Sequence, residues 1–271
     1  MKWTRRDVIK GLGGIPILGA VWWAGASNAV SRNRERTAIL EQLNIQPSLP
    51  SAVKGISGEP VRVGIIGFGI RGEQLCRALG FATQEWLDEM EQAAKEDPNH
   101  SRLRDFMNQD KLNVKLTAVC DVYDIRADRV IESFSTEDTK VIRFETHQDM
   151  IRSGKVDAVI IATPDHWHAP MAIMALQNGK HVYIEKPSSH NPREGELLNE
   201  AQEKYKKYVQ LGNQQRSSKH TIEIINRIHN GLIGNTYYGK AWYSNKRGGI
   251  GVGKVVPVPD YLDWELWQGP A

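Results

Sequence analysis

The chain is poor in several features that would settle its class at once. It has only two cysteines, Cys76 and Cys120. That excludes a disulfide framework and the paired Cys-x-x-Cys ligands of a structural zinc site. Both stand in apolar segments, so they are expected as buried thiols. No cysteine follows the apolar run near the N-terminus, which argues against a lipoprotein anchor. Charge of one sign is also scarce. Thirty-five Lys and Arg against 32 Asp and Glu leave +3. Lys2, Arg5, Arg6 and Lys10, set against Asp7, carry that surplus, and the remainder is balanced. The basic balance therefore gives no reason to expect nucleic acid or an acidic membrane as partner. The apolar run from Gly11 to Ala26 is short for a membrane span and broken by Pro16. No internal repeat, low-complexity tract or H-E-x-x-H metal motif is present.

The N-terminus is informative. A charged start, a short glycine-diluted apolar middle and small residues at the end read as a secretory signal over residues 1–29, cleaved after Ala26 or Ala29. The stretch "TRRDVIKG" resembles a twin-arginine signal, which exports folded cargo and implies a periplasmic or otherwise exported protein with no stable membrane anchor once the signal is removed. An ordinary secretory signal is the competing reading. Residues 30–59 read as linker, with a short helix fitting Arg34 to Leu43.

From Val61 the texture changes. "VRVGIIG", "KLTAVCD", "VDAVIIATP", "KHVYIEKP" and "YVQLG" are short β-branched apolar runs of the kind that form buried parallel strands. Helix-period segments lie between them, and Gly179 closes one as a C-terminal glycine should. Strict alternation predicts an α/β fold, a doubly wound parallel (Rossmann) sheet. The charged, helix-prone stretch 81–111 reads as one or two surface helices inserted into the first βαβ unit. "NTYYGKAWYSNKR" alternates like a strand, and a Gly- and Pro-rich loop then leads to an aromatic helical turn in "DWELWQGPA".

The strongest motif is Gly67-x-Gly69-x-x-Gly72, placed after a predicted strand and opening a predicted helix. In that context Gly67 makes a tight turn and Gly69 admits a pyrophosphate against the backbone. Gly72 allows close helix–strand packing. The competing reading is a purely structural glycine turn. Phe68, Ile70 and Arg71 complete the loop. Asp121 ends the next strand, where a carboxylate accepts ribose hydroxyls and repels a 2′-phosphate. That favours NAD over NADP, although Arg126 keeps NADP open. It lies further from Gly72 than the roughly 20 residues usual, and the inserted helices account for the excess. A helix N-cap is its bland alternative. In "IATPDHWHAPM", Thr163, Pro164, Asp165, His166 and His168 fall where such a sheet places its ligand loops. His166 and His168 alone make a weak case for zinc, and no metal is expected; Asp165 reads equally well as a helix cap. In "YIEKPSS", Lys186 can serve as general acid or base, with Glu185 orienting it or binding a sugar hydroxyl. Pro187 fixes a turn, with a cis peptide as one option. A surface Glu–Lys pair beside a loop proline is the alternative.

Taken together, Gly67-x-Gly69-x-x-Gly72, Asp121, Thr163-Pro164-x-x-x-His168, Gly179-Lys180-His181-Val182 and Glu185-Lys186-Pro187 resemble the Gfo/Idh/MocA family of NAD(P)-dependent oxidoreductases. "LGNQQRSS", with Gln214 and Arg216, fits the same family, and "DWELWQGPA" resembles a segment of its exported, sugar-acting branch. The resemblance implies Lys186 as the acid–base lysine and His168 on the nicotinamide side, with Glu185 beside them. It implies a cofactor site of Gly67, Phe68, Gly69, Ile70, Arg71, Gly72, Asp121, Thr163, Pro164, His168, Glu185 and Lys186. It also implies a small-molecule sugar substrate, a homo-oligomer in the full-length form and a second, α+β substrate domain. The expected organisation is a dinucleotide domain at 60–187 and the start of the substrate domain at 188–271. The latter reads as incomplete, since it holds no Asp-x-Gly-x-His-like stretch. The function expected is hydride transfer between bound NAD and a sugar, within a redox-neutral glycoside-cleaving cycle in the narrower reading. A non-catalytic nucleotide- or sugar-binding protein on the same fold is the alternative.

Overall fold

A computed structural model of the chain describes residues 58–244, 248–249 and 251–269. The signal, its cleavage sites and most of the linker lie outside them. Six strands form one sheet: β1 (Val61–Ile66), β2 (Val114–Cys120), β3 (Ile142–Arg143), β4 (Ala158–Ile161), β5 (His181–Ile184) and β6 (Val209–Leu211). Every pairing is parallel and the order is β3-β2-β1-β4-β5-β6. The expected doubly wound sheet is therefore present. The direction of strand order reverses between β1 and β4, which opens a crevice at the carboxyl ends of those strands.

The strands are apolar on both sides because helices cover both faces. Val63, Ile65, Leu116, Val119 and Ile160 pack against α1 (Ile70–Ala78) and α4 (Asp124–Phe134). Ile66, Cys120, Val159, Ile161 and Ile184 pack against α5 (His147–Arg152), α6 (Asp165–Gln177) and α7 (Pro192–Tyr205). Successive side chains of a strand point to opposite faces, so β1, β2 and β4 each supply both cores. The two thiols divide the same way, and both are free and buried. The insertion forms α2 (Gln84–Glu96) and α3 (Arg102–Met107), surface helices with Met90 as their buried residue. The Thr83 hydroxyl caps α2 by accepting from Trp86 N–H. Among the described residues no helix is long and apolar enough to cross a membrane.

Three expectations need correction. The dinucleotide fold runs past the expected domain boundary at Pro187: α7 returns the chain to β6, the strand expected at "YVQLG", which pairs with β5 from Val209 to Leu211. The alternating stretch after residue 235 forms no strand over its described residues 235–244. Tyr237 and Trp242 stand out in solvent, and alternation makes a strand only where a hydrogen-bonding neighbour is present. Asp165 is the first residue of α6, not its cap; Pro164 holds the cap position.

By contacts, the described residues fall into two units, 58–221 with 248–249 and 251–269, and 222–244. Within the first, a C-terminal strap ends in α9 (Trp264–Gln268). Tyr123 and Leu262 form an antiparallel bridge, Asp124 N–H donates to Tyr261 O at 2.9 Å, and Asp263 N–H donates to Val122 O at 2.9 Å. In the second unit the end of α8 (Lys219–His229) leads into irregular chain.

Candidate active site

The glycine loop joins β1 to α1, and its three glycines have different reasons. Gly67 has φ +85°, and a Cβ there would lie 2.8 Å from Ala162 O. A Cβ on Gly72 would lie 2.1 Å from Gly67 O. The fold itself requires both. Gly69 is extended, caps α1, and would bring a Cβ no closer than 3.4 Å to the Arg126 guanidinium. Nothing in the protein demands glycine there. A ligand seated on the backbone N–H groups of the helix N-terminus would.

Asp121 is 7% exposed and braces this loop. One carboxylate oxygen accepts from Phe68 N–H at 2.6 Å and the other from Tyr123 N–H at 2.9 Å. Burial pushes its carboxyl above the usual range, against the opposing pull of those two hydrogen bonds and of Arg126 and Arg143. Each oxygen keeps a second lone pair for a hydroxyl. The Phe68 side chain is core, edge-on to Phe134 at 5.9 Å, so only its backbone faces the loop. Ile70 is exposed at the first position of α1.

Two crevices open on either side of Ala162 and Thr163, which line both. The first, about 310 Å³, lies over the ends of β1, β2 and β4. Its wall includes Gly67, Gly69, Asp121, Arg126 and Trp167, and its outer side is Trp264 and Trp267 of the strap. The second, about 400 Å³, lies towards β5 and β6 and is lined by Arg71, Asp165, His168, Glu185, Lys186 and Gln214. One is aromatic, the other charged.

In the charged crevice Glu185 is the buried hub, 4% exposed. Its Oε1 accepts from Arg71 Nε at 2.7 Å and from Gln214 Nε2 at 2.6 Å, and its Oε2 accepts from Lys186 N–H at 3.2 Å. Arg71 thus ties the glycine loop to the loop after β5. Gly212 makes room for the hub, since a Cβ there would meet Glu185 Oε1 at 2.7 Å. Lys186 is exposed on the crevice wall, and among the described residues its ammonium has no partner. The Lys186–Pro187 peptide is cis. His168 is almost fully buried, with Nδ1 2.5 Å from Pro187 O and Nε2 3.0 Å from Thr163 O. Both nitrogens face carbonyl oxygens, so the ring pins the loops after β4 and β5 to each other. His166 turns elsewhere, with Nε2 3.3 Å from Trp267 O. Among the described residues no group of three or more His, Cys, Asp or Glu could hold a metal.

The structure therefore brings Gly67, Gly69, Asp121, Thr163 and Pro164 to one crevice and His168, Glu185 and Lys186 to the other. Gln214 and the strap are legible in the sequence only through family likeness, and His147 and Gly212 carry no signal there. The strap lies 99 residues from Trp167, whose Nε1–H donates to Leu266 O, and a contact at that separation leaves no local pattern.

A glycine-loop helix N-terminus at the switch point of a doubly wound sheet, with an acid at the end of β2, defines a dinucleotide-binding protein, and the residues fit such a cofactor. The sequence matches the Gfo/Idh/MocA oxidoreductase family, NAD-binding Rossmann fold, over residues 61–213. The chain belongs to that family, whose cofactor is NAD. Among relatives, the alpha-N-acetylgalactosaminidase of Shewanella oneidensis is 26% identical over 234 residues, 81% of this chain and 44% of that protein. A glycosyl hydrolase family 109 protein of Shewanella baltica is 25% identical over the same shares. The chain thus spans less than half the length of the curated relatives it matches. Among solved structures, apo scyllo-inositol dehydrogenase from Lactobacillus casei shares 21% identity at a TM-score of 0.51, covering 66% of this chain and 44% of that one. Myo-inositol 2-dehydrogenase from Lactobacillus plantarum shares 22% at 0.50, covering 65% and 43%. These likenesses are of fold.

Proposed function

We propose that this chain carries the cofactor-binding and proton-transferring part of an exported NAD-dependent oxidoreductase acting on a sugar or sugar derivative. The observation that carries the reading is the placement of Lys186 in the charged crevice, across Ala162 and Thr163 from the glycine-loop cavity. A ligand spanning both crevices has its reacting end beside that lysine.

NAD, when bound, supplies the acceptor and donor of hydride. The rest is work for the chain's own residues. The glycine loop and the start of α1 hold the diphosphate, and Asp121 takes ribose hydroxyls. Lys186 Nζ accepts the proton of the substrate hydroxyl as the carbinol becomes a carbonyl, and returns it when the carbonyl is reduced. Glu185, held by Arg71 and Gln214, fixes the backbone from which Lys186 projects. His168 is a positioning residue that sets the spacing of the Thr163 and Pro187 loops. A catalytic lysine facing open crevice favours catalysis over a purely binding role.

Export through the twin-arginine-like signal places the protein where cytoplasmic NADH recycling does not reach. That favours a cofactor carried out with the folded protein and returned to its starting redox state in each cycle. Names of relatives that cleave glycosides support the same redox-neutral reading. The test is purification of the protein after export, followed by mass spectrometry for bound nucleotide and by turnover of a sugar panel. Wild type is expected to carry NAD. Lys186→Ala is expected to lose about 10²- to 10⁴-fold in turnover, with nucleotide content of the same sample separating lost chemistry from lost cofactor. An exported protein free of nucleotide sinks the retained-cofactor reading. Undiminished turnover in Lys186→Ala removes Lys186 from its role.

A further inference from the structure

The aromatic cavity has an outer wall that the dinucleotide fold does not supply. The strap from Pro259 to Gly269 crosses its mouth and is fixed at both sides. On the β2 side it is held by the Tyr123–Leu262 bridge and the backbone hydrogen bonds of Val122 and Asp124. On the β4 side, Trp167 Nε1–H donates to Leu266 O at 2.8 Å, and His166 Nε2 approaches Trp267 O at 3.3 Å. Trp264 and Trp267 are stacked, with ring centroids 4.9 Å apart and planes at 14°. The strap's end is fitted closely to α6, since a Cβ on Gly269 would sit 2.6 Å from the Trp167 ring. A wall built this way presents flat aromatic surface to a cavity whose floor is the glycine loop.

A second observation points to a ligand. His147, the first residue of α5, lines the cavity and is 3% exposed. Its ring lies 5.4 Å from that of Trp167. Among the described residues its Nδ1 is wholly buried and has no hydrogen-bond partner. A buried imidazole nitrogen left without a partner costs free energy that a ligand's polar edge recovers. Burial pushes its pKa down, so the ring there is neutral and offers one donor and one acceptor.

The cavity continues from Asp121 on the side away from the charged crevice. A dinucleotide whose diphosphate lies on the glycine loop and whose ribose reaches Asp121 puts its base there. We propose that the C-terminal strap is the lid of the adenine pocket, with Trp264 and Trp267 covering the ring and His147 meeting its polar edge. This rests on the NAD-binding reading above and deepens it: the strap retains the adenosine half, while the nicotinamide end stays open to substrate. Stacking a base on aromatic side chains contributes about 1–3 kcal/mol per base in nucleic-acid sites, which corresponds to about 5- to 150-fold in affinity.

The test measures binding to the whole 271-residue chain by calorimetry. ADP-ribose carries the adenosine and diphosphate, and reduced nicotinamide mononucleotide carries the other end. The double variant Trp264→Ala/Trp267→Ala is expected to bind ADP-ribose at least about 10-fold more weakly. His147→Phe, which keeps the ring against Trp167, is expected to lose about 5-fold. Both are expected to bind reduced nicotinamide mononucleotide within twofold of wild type. Should the double variant fold poorly by circular dichroism, Trp264→Leu and His147→Phe carry the test. ADP-ribose affinity within twofold of wild type in the folded variants overturns the lid, and so does an equal loss for both probes. If wild type binds neither NAD nor ADP-ribose, it is the NAD-binding reading that fails.

Discussion

At the scale of single residues, the glycine loop separates what the fold needs from what a ligand needs. A Cβ on Gly72 meets a backbone oxygen at 2.1 Å, a clash that only displacement of α1 from β1 relieves. A Cβ on Gly69 meets the movable end of Arg126 at 3.4 Å, and the backbone there is already extended. Gly72→Ala is therefore expected to destabilise the protein by several kcal/mol, as backbone clashes and overpacking do. Gly69→Ala is expected to leave the free energy of unfolding within about 1 kcal/mol of wild type, the loss of a glycine N-cap, and to weaken NAD binding at least about tenfold. Chemical denaturation and NAD titration of the two variants check this pair. If Gly69→Ala binds NAD as wild type does, the diphosphate does not lie on that loop. The acid at the end of β2 is similarly double in character. Sequence alone left Asp121 between a ribose acceptor and a helix cap. The structure gives it two backbone donors and leaves each oxygen a free lone pair, so bracing the loop leaves the same carboxylate able to take the proposed ribose contact.

At the scale of elements, legibility followed burial and locality. The five long-read strands were visible because a parallel strand covered on both faces is a continuous β-branched run. β3 was not among them: two residues at a sheet edge carry no run at all. α5, six residues long, is too short to show a helical period. The aromatic stretch after residue 235 showed the opposite failure, a strand-like pattern without a partner. The glycine loop and the Glu185-Lys186 turn were legible because each is one local segment. The Arg71–Glu185 pair and the strap were not, because they join segments about a hundred residues apart. One such distant link registers β1 against the turn before β4. Arg62 donates through Nε and through its terminal nitrogen to the two oxygens of Asp157, at 2.9 and 2.6 Å, and its backbone N–H adds a third bond. These bonds hold the Asp157 carboxyl down at about 2. A depressed carboxylate stabilises the fold above its unfolded value near 4, and that stability is lost as pH falls through about 2. Both side chains are more than a third exposed, so solvent screening keeps the pair's contribution small. Asp157→Asn should therefore lower the urea midpoint at neutral pH, and the gap from wild type should close between pH 4 and 2. A gap of constant size down to pH 2 would mean that the ion pair is not its source.

At the scale of the whole molecule, the single sheet makes the two hydrophobic cores one cooperative structure, and the cysteines report on each face. Cys76 lies in the core beneath α1 and α4, and Cys120 in the core beneath α5, α6 and α7. Burial pushes both thiols up to about 12, with nearby acidic groups adding to the rise. A raised thiol value favours the fold below the unfolded value near 8.5, and this contribution fades as pH climbs through about 12. At pH 8 the native protein then holds two neutral, inaccessible thiols, and alkylation waits for an opening event. Because β1 and β2 each carry residues of both cores, exposing one thiol without the other requires peeling helices from a single face. Cys76 and Cys120 are expected to react with iodoacetamide at one common rate, set by the population of the unfolded state. On the function proposed above, NAD couples to the same event, since its site is built from the glycine loop, β2 and β4 together. At a concentration about 100 times its dissociation constant it stabilises the native state by about 2.7 kcal/mol, and both thiols should then react about 100-fold more slowly. Peptide mass spectrometry reads the two sites separately. Slowing confined to Cys76 would place the ligand on the α1 face alone, and unequal rates without ligand would show that the two cores open independently.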